Sequence, residues 1–184
     1  AILTGNAKKA EEVTKAALEE GVNPSELLSN QMIPAMDEVG KRFECNEYFV
    51  PELLIAARAM KTSLELITPK LAEAGAKATG RVVIGTVQGD LHDIGKNLVA
   101  SMLEGGGFEV IDLGVDVPPE KFVEAAQEQD GSIVALSALL TTTMTTMKTV
   151  IEAMEAAGVR EKIKIMVGGA PITQQYADEI GADG

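Results

Sequence analysis

Apolar positions in the first third of the chain recur at helical spacing. In "NAKKAEEVTKAALEEG", Ala10, Val13 and Ala17 lie three and four apart with Leu18 next to the last, and Gly21 stands where a helix would stop. "NPSELLSNQMIPAMDEVGKRF" predicts a second helix, with Asn23 as N-cap and Pro24 at the first helical position. A third runs from Pro51 through "ELLIAARAMKTSLELI" to about Leu71. Three helices make an awkward bundle, so a further helix is expected ahead of the abrupt start on Ala1-Ile2-Leu3.

The stretch "EAGAKATG", Glu73 to Gly80, is small and polar, and beyond it the period changes. Short β-branched runs now alternate with helices, which divides the chain into a helical part, 1–77, and a strand-and-helix part, 78–184. Strands are expected at Arg81 to Val87, Glu109 to Leu113, Ser132 to Leu139 and Lys162 to Val167. Helices are expected at about Ile94 to Leu103, Pro119 to Glu128 and Thr142 to Ala156. Strand alternating with helix implies a parallel, doubly wound sheet, an α/β fold class. A fifth short strand and a closing helix are expected at "EIGADG".

Composition narrows the function classes. Apolar residues make up 46% of the 184, enough for a real core in one domain or two small ones. No run approaches the ~20 apolar residues that span a bilayer, and the N-terminus lacks a basic-then-apolar signal, which predicts a soluble, cytoplasmic chain without a membrane partner. The single cysteine, Cys45, rules out an internal disulfide framework, fits a reducing compartment and is expected to serve only packing. A net charge of −12, the absence of Trp and an aromatic content of 3% argue against nucleic acid as a partner, whether duplex or stacked single strand. The core must be aliphatic, with eight Met.

Ligands of an open α/β sheet sit beyond the carboxyl ends of the strands, where strand order reverses. In a flavodoxin-like order the loops after the first and third strands meet there, here "QGDLHDIG" and "SALLTTT", Ser137 to Thr143. The loop after the fourth carries Gly168-Gly169, where missing side chains let something bulky pass close to the backbone. The chain's one histidine, His92, lies in the first of these loops, with Asp90 close enough to hold one ring nitrogen and leave the other free. That suits a single metal–ligand bond. Zinc would need three or four protein ligands, so the metal would have to bring its own equator, as a macrocycle does. Simpler readings stand beside this one: His92 as a surface or capping residue, Asp90 as a helix cap, Gly95 and Gly105 to Gly107 as turn residues, and Thr141 to Thr143 as an N-cap with Met144 and Met147 in the core. Their joint placement at one crevice favours the ligand reading.

With Asp90-Leu91-His92-Asp93-Ile94-Gly95, then Ser137-Ala138-Leu139, then Gly168-Gly169, the chain resembles the cobalamin-binding module of methionine synthase and, more closely, the small corrinoid proteins of anaerobic methyltransferase systems. The resemblance implies a four-helix cap followed by a Rossmann-like cobalamin-binding domain. It makes His92 the lower axial ligand to cobalt, with a hydrogen-bonded relay through Asp90 to Thr143. Asp93, Ile94 and Gly95 belong to the cofactor-binding motif. Ser137, Leu139 and Thr141 would line the pocket for the nucleotide tail, and Gly168 and Gly169 would make room for it. In "RFECNEYFVPEL", Phe43 and Val50 match the residues that cover the upper corrin face, although both would serve equally as bundle core.

The resemblance further implies a carrier that is not an enzyme by itself: Co(I) accepts a methyl group, methylcobalamin forms in turnover, and the methyl passes to a second acceptor such as tetrahydrofolate or a thiol. Expected partners are a substrate-specific methyltransferase, a second methyltransferase and a reductive activase. Three rivals remain at this point. They are a cobalamin-dependent sensor, a radical mutase subunit and a flavin-binding flavodoxin-like module, the last disfavoured because the acidic "QGDLHDIG" would repel phosphate.

Overall fold

The computed structural model describes residues 1–73, 80–128 and 132–184. The chain forms two compact units, one of Ala1–Thr79 with Ser101–Phe108 and one of Gly80–Ala100 with Glu109–Gly184. The expected boundary after residue 77 and most of the "EAGAKATG" stretch lie outside the described residues.

The helical unit holds α1 (Ala7–Glu19), α2 (Pro24–Leu27), α3 (Ile33–Glu44) and α4 (Val50–Glu73). Its starts follow local chemistry: Asn6 Oδ1 accepts the Lys9 amide, and Asn23 Oδ1 accepts the Ser25 amide with Pro24 in the first turn. The single helix expected beyond Asn23 is interrupted by a π-helical turn, Leu28–Met32, in which the Ile33 amide reaches back five residues to the Leu28 carbonyl. Pro34 explains this, since it has no N–H and its ring crowds the carbonyl four residues earlier. Met32, Ala59, Met60 and Ile67 form one buried cluster and Val39, Leu53 and Ala56 another, an aliphatic and Met core as expected. Cys45 is not packed inside: it caps the end of α3 and is exposed, because the chain turns there through Asn46 at φ +58°.

In the second unit, β1 (Arg81–Thr86), β2 (Glu109–Asp112), β3 (Ile133–Ser137) and β4 (Lys164–Gly168) make a sheet of order β2-β1-β3-β4, parallel throughout. Val83 pairs with Ile111 on one side and Val134 on the other, and Val134 with Ile165. The intervening helices are α5 (Ile94–Gly105), α6 (Pro119–Glu128) and α7 (Thr141–Ala156). Phe122, Met147, Ile151, Met154 and Ile165 are buried among the strands' apolar side chains. Strand order reverses between β1 and β3, so the loops after these two strands open on one crevice. Among the described residues, no helix is long and apolar enough to cross a membrane.

A short helix unforeseen from the pattern, α8 (Gln174–Ile180), follows β4. Thr173 caps its start and Gly181, at φ +80°, its end. The segment after it then runs beside β4, where the fifth strand was expected: the Asp183 amide donates to the Ile165 carbonyl and the Val167 amide to that of Gly184. The Asp183 carboxylate accepts from the Ile165 amide at 2.9 Å and from Lys164 at 2.7 Å, and lies 2.9 Å from Arg160. Burial pushes this carboxyl up, but Lys164, the Ile165 amide and Arg160 together hold it below the usual aspartate range. A lowered native value gives stability that is complete above the unfolded pKa, about 3.9, and is lost as pH falls through the native one. Asp183→Asn is therefore expected to cost roughly 0.5–1.5 kcal/mol at pH 7, because solvent screens the contact with the exposed Lys164. In urea melts the gap from wild type should close below about pH 4; a gap unchanged in acid contradicts the ionic account.

Candidate functional site

The crevice is a cleft of about 540 Å³ with a largely apolar wall. Ile84, Ala135 and Met166 line its depth from the three adjacent strands, and the loops beyond those strands form its mouth. His92 stands at this mouth between β1 and α5, its side chain half exposed.

Asp90 fixes the ring. The carboxylate is fully buried, and its Oδ1 lies 2.7 Å from His92 Nδ1 and accepts the His92 amide at 3.0 Å. Its Oδ2 accepts the Thr143 hydroxyl at 2.6 Å and the Leu139 amide at 2.9 Å. Burial alone would push the carboxyl up, yet the hydrogen bonds from Thr143, the His92 and Leu139 amides and the His92 ring hold it far below the ordinary range. Asp90 is thus a carboxylate that can only accept, which makes Nδ1 the protonated nitrogen and leaves the Nε2 lone pair outward. Nε2 has no hydrogen-bond partner among the described residues. Among those residues, no group of three or more His, Cys, Asp or Glu converges as a metal site.

The expected site residues gather unevenly. Asp93, Ile94, Gly95, Ser137, Leu139, Gly168 and Gly169 all line the cleft with His92. Thr143 is buried in the first turn of α7 and reaches Asp90, while Thr141, at the exposed start of that helix, is not on the cleft wall. A Cβ added at Gly169, whose φ is +141°, would run into the Ala138 carbonyl oxygen. One added at Gly168 would meet nothing within 4 Å among the described residues, its chain neighbours aside. Gly169 is therefore required by the backbone, and Gly168 leaves room in the cleft. In the helical unit, Phe43 and Val50 do not serve as core: they are 38% and 42% exposed, alongside exposed Phe49 and Leu54.

Lys96, directly after the Gly95 of the motif, escaped the sequence reading. Its side chain is buried and its ammonium bonds Asp112 at the end of β2 and the Asn97 side chain at 2.7 Å. A lysine one residue after a predicted turn glycine, in an otherwise apolar helix start, was the available signal, since a buried ammonium needs a carboxylate nearby.

Two family models, each described as B12 binding domain, match residues 80–184 and 1–68. The chain is 49% identical to trimethylamine corrinoid protein 1 of Methanosarcina acetivorans over 176 residues, 95% of this chain and 82% of that one. It is 45% identical to dimethylamine corrinoid protein 3 of the same organism, over 96% of this chain and 82% of the other. Among solved structures, a cobalamin-binding protein from Desulfitobacterium hafniense superposes with a TM-score of 0.83 at 33% identity, over 100% of this chain and 87% of that one. A chain of the methanol:cobalamin methyltransferase complex from Methanosarcina barkeri gives 0.85 at 32% identity, over 97% and 68%. The doubly wound sheet, its crevice and these similarities together place the chain in the family of B12-binding corrinoid proteins of anaerobic methyltransferase systems, with a cobalamin as its cofactor.

Proposed function

We propose that this chain is a methyl carrier, with His92 as the lower axial ligand to the cobalt of its corrinoid. The observation that carries the reading is the imidazole held through Nδ1 by a buried, ionised Asp90 while Nε2, at the cleft mouth, has no partner among the described residues. The residues present suit the cofactor: one nitrogen donor for a metal with its own equatorial ligands, and beside it a deep apolar cleft kept open at Gly168. When bound, the corrinoid supplies a cobalt that takes up a methyl group and hands it on.

The chain's own work is binding and orientation. Asp90 and Thr143 hold the ring in one tautomer, so its lone pair needs no rearrangement to meet a metal. Leu139 serves the relay through its amide and the cleft through its side of the β3 loop, joined there by Ser137. Asp93, Ile94 and Gly95 form the opposite lip, and Gly168 and Gly169 the floor toward β4. Thr141 is assigned to the outer rim of this pocket. The exposed Phe43 and Val50 are assigned to the upper corrin face, in a cap domain, 1–77, that precedes a cobalamin-binding domain, 78–184.

A substrate-specific methyltransferase would load the carrier and a second one unload it to a folate or thiol, in the cytoplasm, with a reductive activase restoring the reduced cobalt. The names of the trimethylamine and dimethylamine relatives favour a methylamine as donor. The test is methyl loading. The full chain, reconstituted with hydroxocobalamin and reduced, is incubated with ¹⁴C-methyl-labelled trimethylamine, dimethylamine or methanol and the matching methyltransferase. Label recovered with the chain in one pairing, about one per corrinoid and absent without the enzyme, is expected. A corrinoid-loaded chain that takes label in no pairing overturns the carrier reading.

A further inference from the structure

We propose that Asp116 is a positioning residue for the axial imidazole, clamping the Gly89–Asp90 backbone so that the Asp90 carboxylate stays on His92 Nδ1. This rests on the reading of His92 as the cobalt ligand. Asp116 lies on the exposed segment between β2 and α6 and has φ +53°, one of two non-glycine residues with positive φ among those described. Aspartate tolerates that conformation better than most side chains, but it is still disfavoured, and residues held there cluster where the fold constrains a site.

The hydrogen bonds show what the conformation achieves. The Asp116 amide donates to the Asp90 carbonyl at 3.0 Å, while its own Oδ1 accepts the Gly89 amide at 2.7 Å. One residue thus grips two consecutive residues, once through its backbone and once through its side chain. Gly89 itself turns at φ +87°, so the chain has just left β1 and has no ladder of its own at this point. Up to there the two segments are joined by main-chain bonds: Leu113 to Ile84, Thr86 to Gly114 and Val117 to Thr86. The Asp116 carboxylate extends that zipper by the one bond that reaches Gly89.

The far end of the His92 segment is held from the end of β2, through Lys96 and Asp112. The stretch carrying His92 is therefore bracketed, at Gly89–Asp90 by Asp116 and at Lys96 by Asp112. Any rotation at Asp90 would move Oδ1 from the ring and Oδ2 from Thr143 and the Leu139 amide together, because one rigid carboxylate serves all three.

The chain has one histidine, so ¹⁵N–¹H correlation of the imidazole reports His92 alone. The corrinoid-free full chain is compared with Asp116→Gly, Asp116→Ala and Asp116→Asn at one alkaline pH. Wild type should show the Nδ1-protonated tautomer. Asp116→Gly accepts the positive φ without strain but lacks the carboxylate, and its Nδ1-protonated population should fall about twofold or more, with Asp116→Ala alongside it. Asp116→Asn keeps an acceptor and the tolerance for the turn, and should retain the wild-type tautomer. An Asp116→Gly protein that is folded and keeps the wild-type tautomer overturns the clamp, whatever Asp116→Ala does. Because this readout needs no cobalt, it is separable from the ligand assignment. Absent cobalt–histidine coupling with an intact wild-type tautomer would remove the ligand reading and leave the clamp standing.

Discussion

His92→Ala is expected to abolish nitrogen coupling from the protein in the electron spin resonance spectrum of the Co(II)-corrinoid form. The imidazole is the chain's single histidine side chain, so no second residue of its type can replace it. A nitrogen from the cofactor's own base could imitate the signal, which isotope substitution resolves. Protein grown on ¹⁵N and loaded with unlabelled hydroxocobalamin should show doublet splitting, because ¹⁵N has spin one-half, and the unlabelled chain triplets. Affinity for the corrinoid should also fall by at least the roughly 10- to 100-fold that loss of an outer partner of a metal-bound imidazole costs. The fold should survive, since Asp90 still accepts from Thr143 at 2.6 Å and from the Leu139 amide. Splitting that remains triplet in labelled protein, or a signal unchanged by the mutation, would remove His92 from the cobalt.

Much of this architecture was legible because its signals are local. The helix Pro119–Glu128 appears with both expected ends, since proline opens it and its apolar spacing is regular. The buried β-branched run of β1 marks a strand covered on both faces, and the order of the sheet follows from alternating connections. What was not legible depends on interactions across the fold. The π-turn needs the consequence of Pro34 for a carbonyl one turn earlier. The helix α8 spans only Gln174–Ile180, too short for periodicity, although Thr173 and Gly181 marked its ends. At the site, Asp90 and His92 are two residues apart and could be paired from sequence alone. Thr143, by contrast, meets Asp90 across 53 positions and was reached through a family motif. Lys96 and Asp116 act through partners on another strand and loop, and a sequence pattern contains no sign of which carboxylate or amide they meet.

Gly168→Leu is expected to prevent corrinoid retention while leaving the chain folded, and the reason lies in how differently two adjacent glycines are used. At Gly169 the backbone itself demands glycine, because φ is +141° and a Cβ would strike the Ala138 carbonyl. Substitution there damages the fold and says nothing about a ligand. At Gly168 the added Cβ meets nothing among the described residues, its chain neighbours aside, the residue is exposed, and its carbonyl bond to the Ala138 amide at 3.1 Å is indifferent to the side chain. A side chain can therefore start from this position without a clash at Cβ, but Gly168 lines the cleft that the cofactor's tail is proposed to enter. Overpacking a fitted site costs roughly 1–3 kcal/mol, which is about 5- to 150-fold in affinity. Thermal melts of the corrinoid-free chain should match wild type, and gel filtration after loading should recover little corrinoid with the variant. Gly168→Ala, which adds one methyl, should fall between. Full retention by a folded Gly168→Leu chain would mean that the tail does not pass this strand end, and the cleft would lose its assignment even with His92 still on the metal.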